Sequence, residues 1–190
     1  MASDNSIKLT ISYSKGVIME LMDFALKDGR IVTVRSYRTA DFEAMVSMFQ
    51  RLSTEALRYG LPPYDRTRLE RWVSGLDGGI LLLALEREKV VGVALISGLW
   101  NTRRRGVGEF VTYVHQDYHG QGLGTFLTKS ILEEARRKGF HKITLKVVAD
   151  NVPAIKAYER AGFVQEGRLR EEFVDDGGKY HDQLIMGIIL

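Results

Sequence analysis

The chain has 190 residues, 45% of them hydrophobic and 27% charged, ordinary globular values that exclude a disordered chain or a fibre. Its length fits one domain at ~150 residues apiece, and 27 basic against 24 acidic residues leave a net charge of +3, too small to mark a nucleic-acid binder. With no cysteine, a disulfide scaffold, a thiolate zinc site and a cysteine nucleophile are all excluded.

Residues 1–29 read apart from the rest, as an N-terminal extension of undecided structure. Ile7, Leu9, Ile11 and Tyr13 alternate as in a strand, and Val17 to Leu26 form an apolar run before Asp28-Gly29. Lys8, Lys15, Glu20 and Asp23 interrupt these runs, so neither a signal peptide nor a spanning helix is expected, and the reading is a soluble, cytoplasmic protein. A single domain occupies 30–190. Ile31, Val32, Thr33 and Val34 favour a first strand. Thr39 is suited to cap a helix whose Phe42, Met45, Val46, Phe49 and Leu52 share one face. Pro62-Pro63 breaks the chain, and Asp65 can cap a second helix with Leu69, Trp72, Val73 and Leu76 inward and Gly78-Gly79 at its end.

Ile80–Glu86 and Val90–Ser97 then read as a hairpin of buried strands. A loop carrying Arg103, Arg104 and Arg105 beside Trp100 leads to the strand Val107–His115. A helix follows with Leu123, Phe126, Leu127, Ile131 and Ala135 inward, stopped by Gly139. The strand Lys142–Val148, a short helix Val152–Arg160 and the strands Phe163–Leu169 and Tyr180–Leu190 complete the chain. The fold class is therefore α/β, with a mixed central sheet of about six to seven strands flanked by about four helices.

The most informative segment is Tyr118-His119-Gly120-Gln121-Gly122-Leu123-Gly124-Thr125, between a strand and a helix. Alternating glycines leave backbone N–H groups uncovered where the helix dipole concentrates positive charge, a place suited to a phosphate; a tight strand-to-helix turn would use glycines equally well. A P-loop would need a lysine before Thr125, and the dinucleotide fingerprint spaces its glycines differently and sits at a first strand, so both standard nucleotide readings fit poorly. His115 and His119 lie four apart, but across a strand end and a loop and without a clear third ligand, so no metal is expected.

At His119-Gly120-Gln121-Gly122-Leu123-Gly124 the chain resembles the GNAT superfamily of acyl-CoA-dependent N-acetyltransferases, whose pattern is Arg/Gln-x-x-Gly-x-Gly/Ala after a strand. A second block, Asn151-x-x-Ala154-x-x-x-Tyr158-x-x-x-Gly162-Phe163, is similar to the family's fourth helix. A third, Gly178-Lys179-Tyr180-x-Asp182-x-x-x-Met186, is similar to its closing strand. The departure is His119, where arginine or glutamine is usual. The resemblance implies acetyl-CoA as cosubstrate, its pyrophosphate on Gly120, Gln121, Gly122, Leu123, Gly124 and Thr125. It implies a pantetheine arm lying beside the backbone of Thr112, Tyr113 and Val114, with Asn151 hydrogen-bonded to it and Tyr158 facing the sulfur. Geometry agrees that Asn151 and Tyr158, seven residues apart, share a helix face.

Glu109 is the candidate general base, since it shares a strand face with Val111 and Tyr113 and many family members place a base there; Lys146 stands where others carry theirs. As alternatives, Glu109 could be a solvated strand-end carboxylate and Tyr158 a core tyrosine. Arg51-Leu52-Ser53-Thr54-Glu55-x-Leu57 and Glu109-Phe110-Val111 are similar to prokaryotic Pat-type protein lysine acetyltransferases. Six acids against three basic residues between Glu166 and Asp182 would make a negative rim that attracts a cationic amine, or else a charged, solvated surface hairpin. The expected partner is thus an amine-bearing protein or peptide, a lysine or an N-terminal amine. A small amine such as a polyamine or aminoglycoside, or a non-catalytic acyl-CoA sensor, is the alternative. A homodimer is left open, and no membrane partner is expected.

Overall fold

The computed structural model describes residues 8–14, 17–76, 78–98 and 103–190; Ile7 and Trp100 lie outside them. Nine strands among the described residues form one sheet in the order β1-β2-β3-β4-β5-β6-β7-β9-β8. They are β1 (Lys8–Ser14), β2 (Val17–Ala25), β3 (Ile31–Ser36), β4 (Ile80–Glu86), β5 (Lys89–Gly98), β6 (Val107–Val114), β7 (Lys142–Val148), β8 (Val164–Val174) and β9 (Tyr180–Ile189). Every neighbouring pair is antiparallel except β6 and β7. The seven strands expected after residue 30 are all present. The count rises to nine because the undecided N-terminal runs form β1 and β2, which extend the sheet from β3 through the register Met22↔Val34 to Ala25↔Ile31.

Helices α4 (Leu123–Arg137) and α5 (Val152–Arg160) cover one face of the sheet, and α1 (Phe42–Gln50) and α3 (Arg66–Ser74) the other, with a single turn, α2 (Thr54–Leu57), between them. β4 and β5 are apolar almost throughout because both of their faces are covered. Leu81, Leu83 and Leu85 point to the α1/α3 core, and Ile80, Leu82 and Ala84 to the α4/α5 core. Gly92 on β5 lets α4 lie close: a Cβ there would come within 2.8 Å of Leu127 Cδ1 and 3.3 Å of the Ala84 Cβ. The predicted stripe of α4 is buried along its whole length.

Local signals account for most helix ends and miss a few. Asp65 caps α3 as expected, its Oδ1 accepting from the Arg68 N–H at 2.8 Å. Thr39, however, opens a 3-10 turn instead of capping α1; Asp41 accepts from the Arg38 N–H at 2.8 Å and from the Arg35 guanidinium at 2.7 Å, and the α-helix begins at Phe42. The Asp41 carboxylate reaches back to the Arg38 N–H and pairs with Arg35, which draws the chain into the 3-10 turn before the α-helix starts. The helix α3 ends at Gly75, ahead of Gly78-Gly79. β8 runs on to Val174 because a register shift between Leu169 and Phe173 absorbs the polar stretch that looked like a loop. No helix among the described residues is long and apolar enough to cross a membrane.

Candidate active site

β6 serves two neighbours unequally. It pairs with β5 from Gly108 to Val114, but with β7 only over Val107, Gly108 and Glu109. Beyond Glu109 the two parallel strands part, leaving a wedge-shaped opening. His115 donates its N–H to the Val91 carbonyl at 2.9 Å, which fixes the alternation along β6. The main chain of Tyr113 is therefore turned to β5, whereas the N–H and C=O groups of Phe110, Thr112 and Val114 face the opening. One of these groups is in use, since His119 Nε2 donates to the Val114 carbonyl at 2.8 Å.

At the wide end of the opening the 3-10 turn Gln116–Tyr118 leads into the glycine loop. Gly120 and Gly122 adopt φ of +71° and +89°, which a side chain would resist, and a Cβ on Gly120 would meet nothing within 4 Å. Gly122 is the N-cap of α4 and has no side chain to offer. The first-turn amides of Leu123, Gly124 and Thr125 thus have neither an intrahelical acceptor nor a side-chain cap, and a 15-residue helix aligns its dipole behind them. Gln121 Oε1, in the same loop, is a buried polar atom with no partner. A cradle of open amides fits an anion such as a diphosphate, whereas the Gln121 carbonyl oxygen, an acceptor, contributes nothing to holding one.

α5 brings the next two residues. Asn151 is its N-cap, with Oδ1 accepting from the Ala154 N–H at 3.4 Å, which leaves the side-chain NH2 unengaged among the described residues. Tyr158, two turns on, packs edge-on against Phe110 and Phe163 with ring centres 5.9 Å from each. Burial pushes its hydroxyl up to about 12, and that hydroxyl donates to no described residue. Tyr158 is thus neutral at physiological pH, with a hydrogen-bond donor to spare.

The opposite face of β6 is built differently. Glu109 stands exposed at the vertex, the last residue paired to β7, and its carboxylate has no hydrogen-bond or ion-pair partner among the described residues. Val111 and Tyr113 follow on the same face and pack against the α1/α3 core. Tyr113 belongs to an aromatic cluster with Phe49, Tyr64 and Trp72, and its ring lies 5.3 Å from Phe49 and 4.9 Å from Tyr64. The hydroxyls of Tyr64 and Tyr113 are hydrogen-bonded, and burial first, then Tyr64, holds the Tyr113 phenol far above its usual range. Gln116 ties the end of β6 to the chain before α2: its Nε2 donates to the Arg51 carbonyl at 3.0 Å and its Oε1 accepts from the Ser53 N–H at 3.2 Å.

Across from α2 stands the turn between β8 and β9. Thr54, Glu55 and Arg58 face Asp175, Asp176 and Gly177 over a cleft of about 190 Å³. The turn is fastened from behind by His181, a buried imidazole whose Nδ1 lies 2.7 Å from Asp150 and whose Nε2 lies 2.9 Å from Asp175. Asp175 and then Asp150 raise the His181 pKa. Only the imidazolium can donate to both carboxylates at once.

The expected site residues other than Tyr113 border one opening, in two groups; the main chain of Tyr113 is paired to β5 and so is not available to a coenzyme arm, contrary to expectation. Gly120–Thr125, Thr112, Val114, Asn151 and Tyr158 lie toward α4 and α5; Glu109 and the side chain of Tyr113 lie on the other side. Sequence reasoning missed the aromatic cluster, in which Trp72 registered only as one apolar position of a helix, and the Asp150–His181–Asp175 clamp. It also missed Phe24 of β2, whose ring lies beneath Gly122.

The Acetyltransferase (GNAT) family pattern matches residues 44–163. A mycothiol acetyltransferase from Saccharopolyspora erythraea is 34% identical over 149 residues, which are 77% of this chain and 47% of the relative, so the chain spans about half that protein's length. An L-methionine sulfoximine/L-methionine sulfone acetyltransferase from Pseudomonas aeruginosa is 34% identical over 144 residues, covering 72% of this chain and 83% of the relative. Among solved structures, a ribosomal-protein-alanine N-acetyltransferase from Brucella melitensis superposes with a TM-score of 0.71 at 25% identity, over 83% of this chain and 99% of that one.

Proposed function

The chain belongs to the acetyltransferase (GNAT) family, and on that footing we propose that it moves the acetyl group of acetyl-CoA to a primary amine by direct attack. One observation carries the reading. A single opening between β6 and β7 has an anion cradle and an unpartnered Tyr158 hydroxyl on one side, and an unpartnered carboxylate, Glu109, at its vertex on the other. Coenzyme and amine would approach from opposite faces of the sheet. In this reading the amides of Leu123, Gly124 and Thr125 hold the diphosphate. The free main-chain groups of Thr112 and the N–H of Val114, whose carbonyl is taken by His119, would receive the amide-bearing arm of the coenzyme together with Asn151.

The chemistry follows from proton affinities. A lysine amine, with a pKa near ~10.4, costs roughly 4 to 5 kcal/mol to deprotonate at pH 7, and an α-amine near ~8 costs about 1 to 1.5. Glu109 would take that proton, directly or through a water, before the freed nitrogen bonds to the thioester carbonyl carbon, and the nitrogen would give its second proton to solvent as the amide forms. When the C–S bond breaks, sulfur leaves as thiolate. A thiol of pKa ~8.5 facing a phenol near 12 makes full proton transfer uphill by about 5 kcal/mol. Tyr158 therefore acts by donating a hydrogen bond to the developing thiolate, and the proton that finally neutralises the thiol comes from solvent.

For the acceptor, a protein lysine or N-terminal amine is the first reading. The cleft between α2 and the β8–β9 turn opens at the surface and carries Glu55, Asp175 and Asp176 on its rim, which suits the cationic end of a longer chain. A small amine is the second reading, favoured by the names of the mycothiol and methionine sulfoximine relatives. A cytoplasmic location belongs to the same proposal. The test is transfer of labelled acetyl groups from acetyl-CoA to a panel of lysine peptides, peptide N-termini, spermidine and methionine sulfoximine, beside a Glu109→Gln control. Transfer to one class, lost in the control, is the expected result. Coenzyme binding without transfer to any amine would instead leave a sensor.

A further inference from the structure

We propose that the N-terminal strand β2 and the β2–β3 turn position the glycine cradle, with Phe24 as its floor and Arg30 as its clamp. The inference rests on reading Gly120–Thr125 as the diphosphate site, and goes beyond it by giving a role in coenzyme binding to residues remote from that motif. Phe24 is 7% exposed, and its ring stacks on Phe126 of α4 with centres 4.3 Å apart and planes 12° from parallel. The same ring closes the space beneath the cap of α4: a Cβ on Gly122 would lie 3.4 Å from Phe24 Cζ. The left-handed turn that exposes the cradle amides therefore rests on an aromatic surface supplied by β2.

Arg30 acts on the preceding segment. Its guanidinium is held by Asp28, with Nη2 2.7 Å from Oδ2, and donates from Nη2 to the Asp117 carbonyl at 2.9 Å. It also lies over the Tyr118 ring, 4.3 Å from the centre, while the Tyr118 hydroxyl donates to Glu86 at 2.9 Å. Asp117 and Tyr118 are the last residues of the 3-10 turn before His119 and Gly120. The loop is thereby fixed at its start by Arg30 and at its end by Phe24, both supplied by the N-terminal part of the chain. Open amides bind an anion well only if they are already aimed, so loosening either support should weaken diphosphate binding and leave the chemical step alone.

The test compares acetyl-CoA with acetyl-pantetheine, a thioester lacking the diphosphate, on the full chain and on Phe24→Leu. The expected result is a preference for acetyl-CoA in the unaltered protein. In Phe24→Leu the KM for acetyl-CoA should rise about tenfold at unchanged kcat, with kcat/KM for acetyl-pantetheine unmoved. Val46→Ala, a buried change on α1 in the core across the sheet, should leave the acetyl-CoA KM where it was. Should Phe24→Leu fold poorly, Arg30→Ala at the surface carries the test, with a rise of about threefold in the same KM. An unaltered protein that prefers acetyl-CoA, with variants that keep its KM, would overturn this inference and spare the site. Equal use of both thioesters by the unaltered protein would overturn the diphosphate site and this inference together.

Discussion

The two faces of β6 are assembled on different plans. Toward α4 and α5 the candidate residues fall in two contiguous stretches, 118–125 and 151–158, each setting the geometry of its own backbone: a glycine-capped helix start and an asparagine-capped one. Toward α1 and α3 the face of the sheet that carries Glu109 is assembled from distant parts of the chain. Phe49, Tyr64 and Trp72 meet Tyr113, and Thr54–Arg58 meets Asp175–Gly177. A shared coenzyme can be met by one local device, because its diphosphate needs only backbone amides. An acceptor is recognised by side chains, and side chains converge only through the tertiary fold. On the proposed reading, the coenzyme side is accordingly built locally and the acceptor side by the tertiary fold.

Substitutions that divide the two sides test the contrast, the largest effect first. Glu109→Gln should lower kcat by about 10²- to 10³-fold with the acetyl-CoA KM unchanged, measured by steady-state thiol release. A comparable rise in the acetyl-CoA KM would move Glu109 to the coenzyme side. Gly122→Ala forces an alanine to φ +89° and sets a methyl against Phe24, which costs about 1 to 2 kcal/mol. It should raise the dissociation constant for CoA about tenfold by calorimetry without changing the affinity for the amine. Tyr158→Phe should reduce kcat about tenfold while leaving substantial turnover, since a hydrogen bond is lost and no obligatory acid; unchanged turnover would return Tyr158 to the core. Asp176→Asn should raise the KM of a cationic acceptor about twofold, with a shallower dependence on salt.

The smallest effect concerns the clamp. His181 is packed against Phe173 and faced by Asp175, Asp150 and, with opposite sign, Lys179. Its folded pKa is raised, so its contribution to stability is complete below the unfolded value of ~6.5 and is lost as pH climbs through the folded value. Thermal unfolding should show Tm drifting down by about a degree or two above pH 6.5. His181→Phe should flatten that slope; an unchanged slope would assign it to another group.

What could be read from the sequence follows the same division. The seven strands after residue 30, the buried stripe of α4 and the Asp65 cap were legible because each depends on neighbours within a turn or a pleat. The candidate residues of both motifs were legible for the same reason. β2 was not: its apolar run fits a strand or a helix equally well until β3 pairs with it, and only then does Phe24 face α4. Nor was the convergence of Tyr64 with Tyr113, separated by 49 residues, or of His181 with Asp150, separated by 31. Thr39 misled because a 3-10 turn, held by the Asp41 carboxylate on the Arg38 N–H, precedes the α-helix.

Gly92 lies on β5, across Val114 from the opening, yet the absent methyl there sets how deeply α4 is seated on the sheet. Because a helix moves largely as a rigid rod, lifting it at Leu127 would carry the Gly122 end away from the strand it faces. An alanine at this position should therefore behave as a vernier, changing the height of the anion seat without altering one atom of its lining.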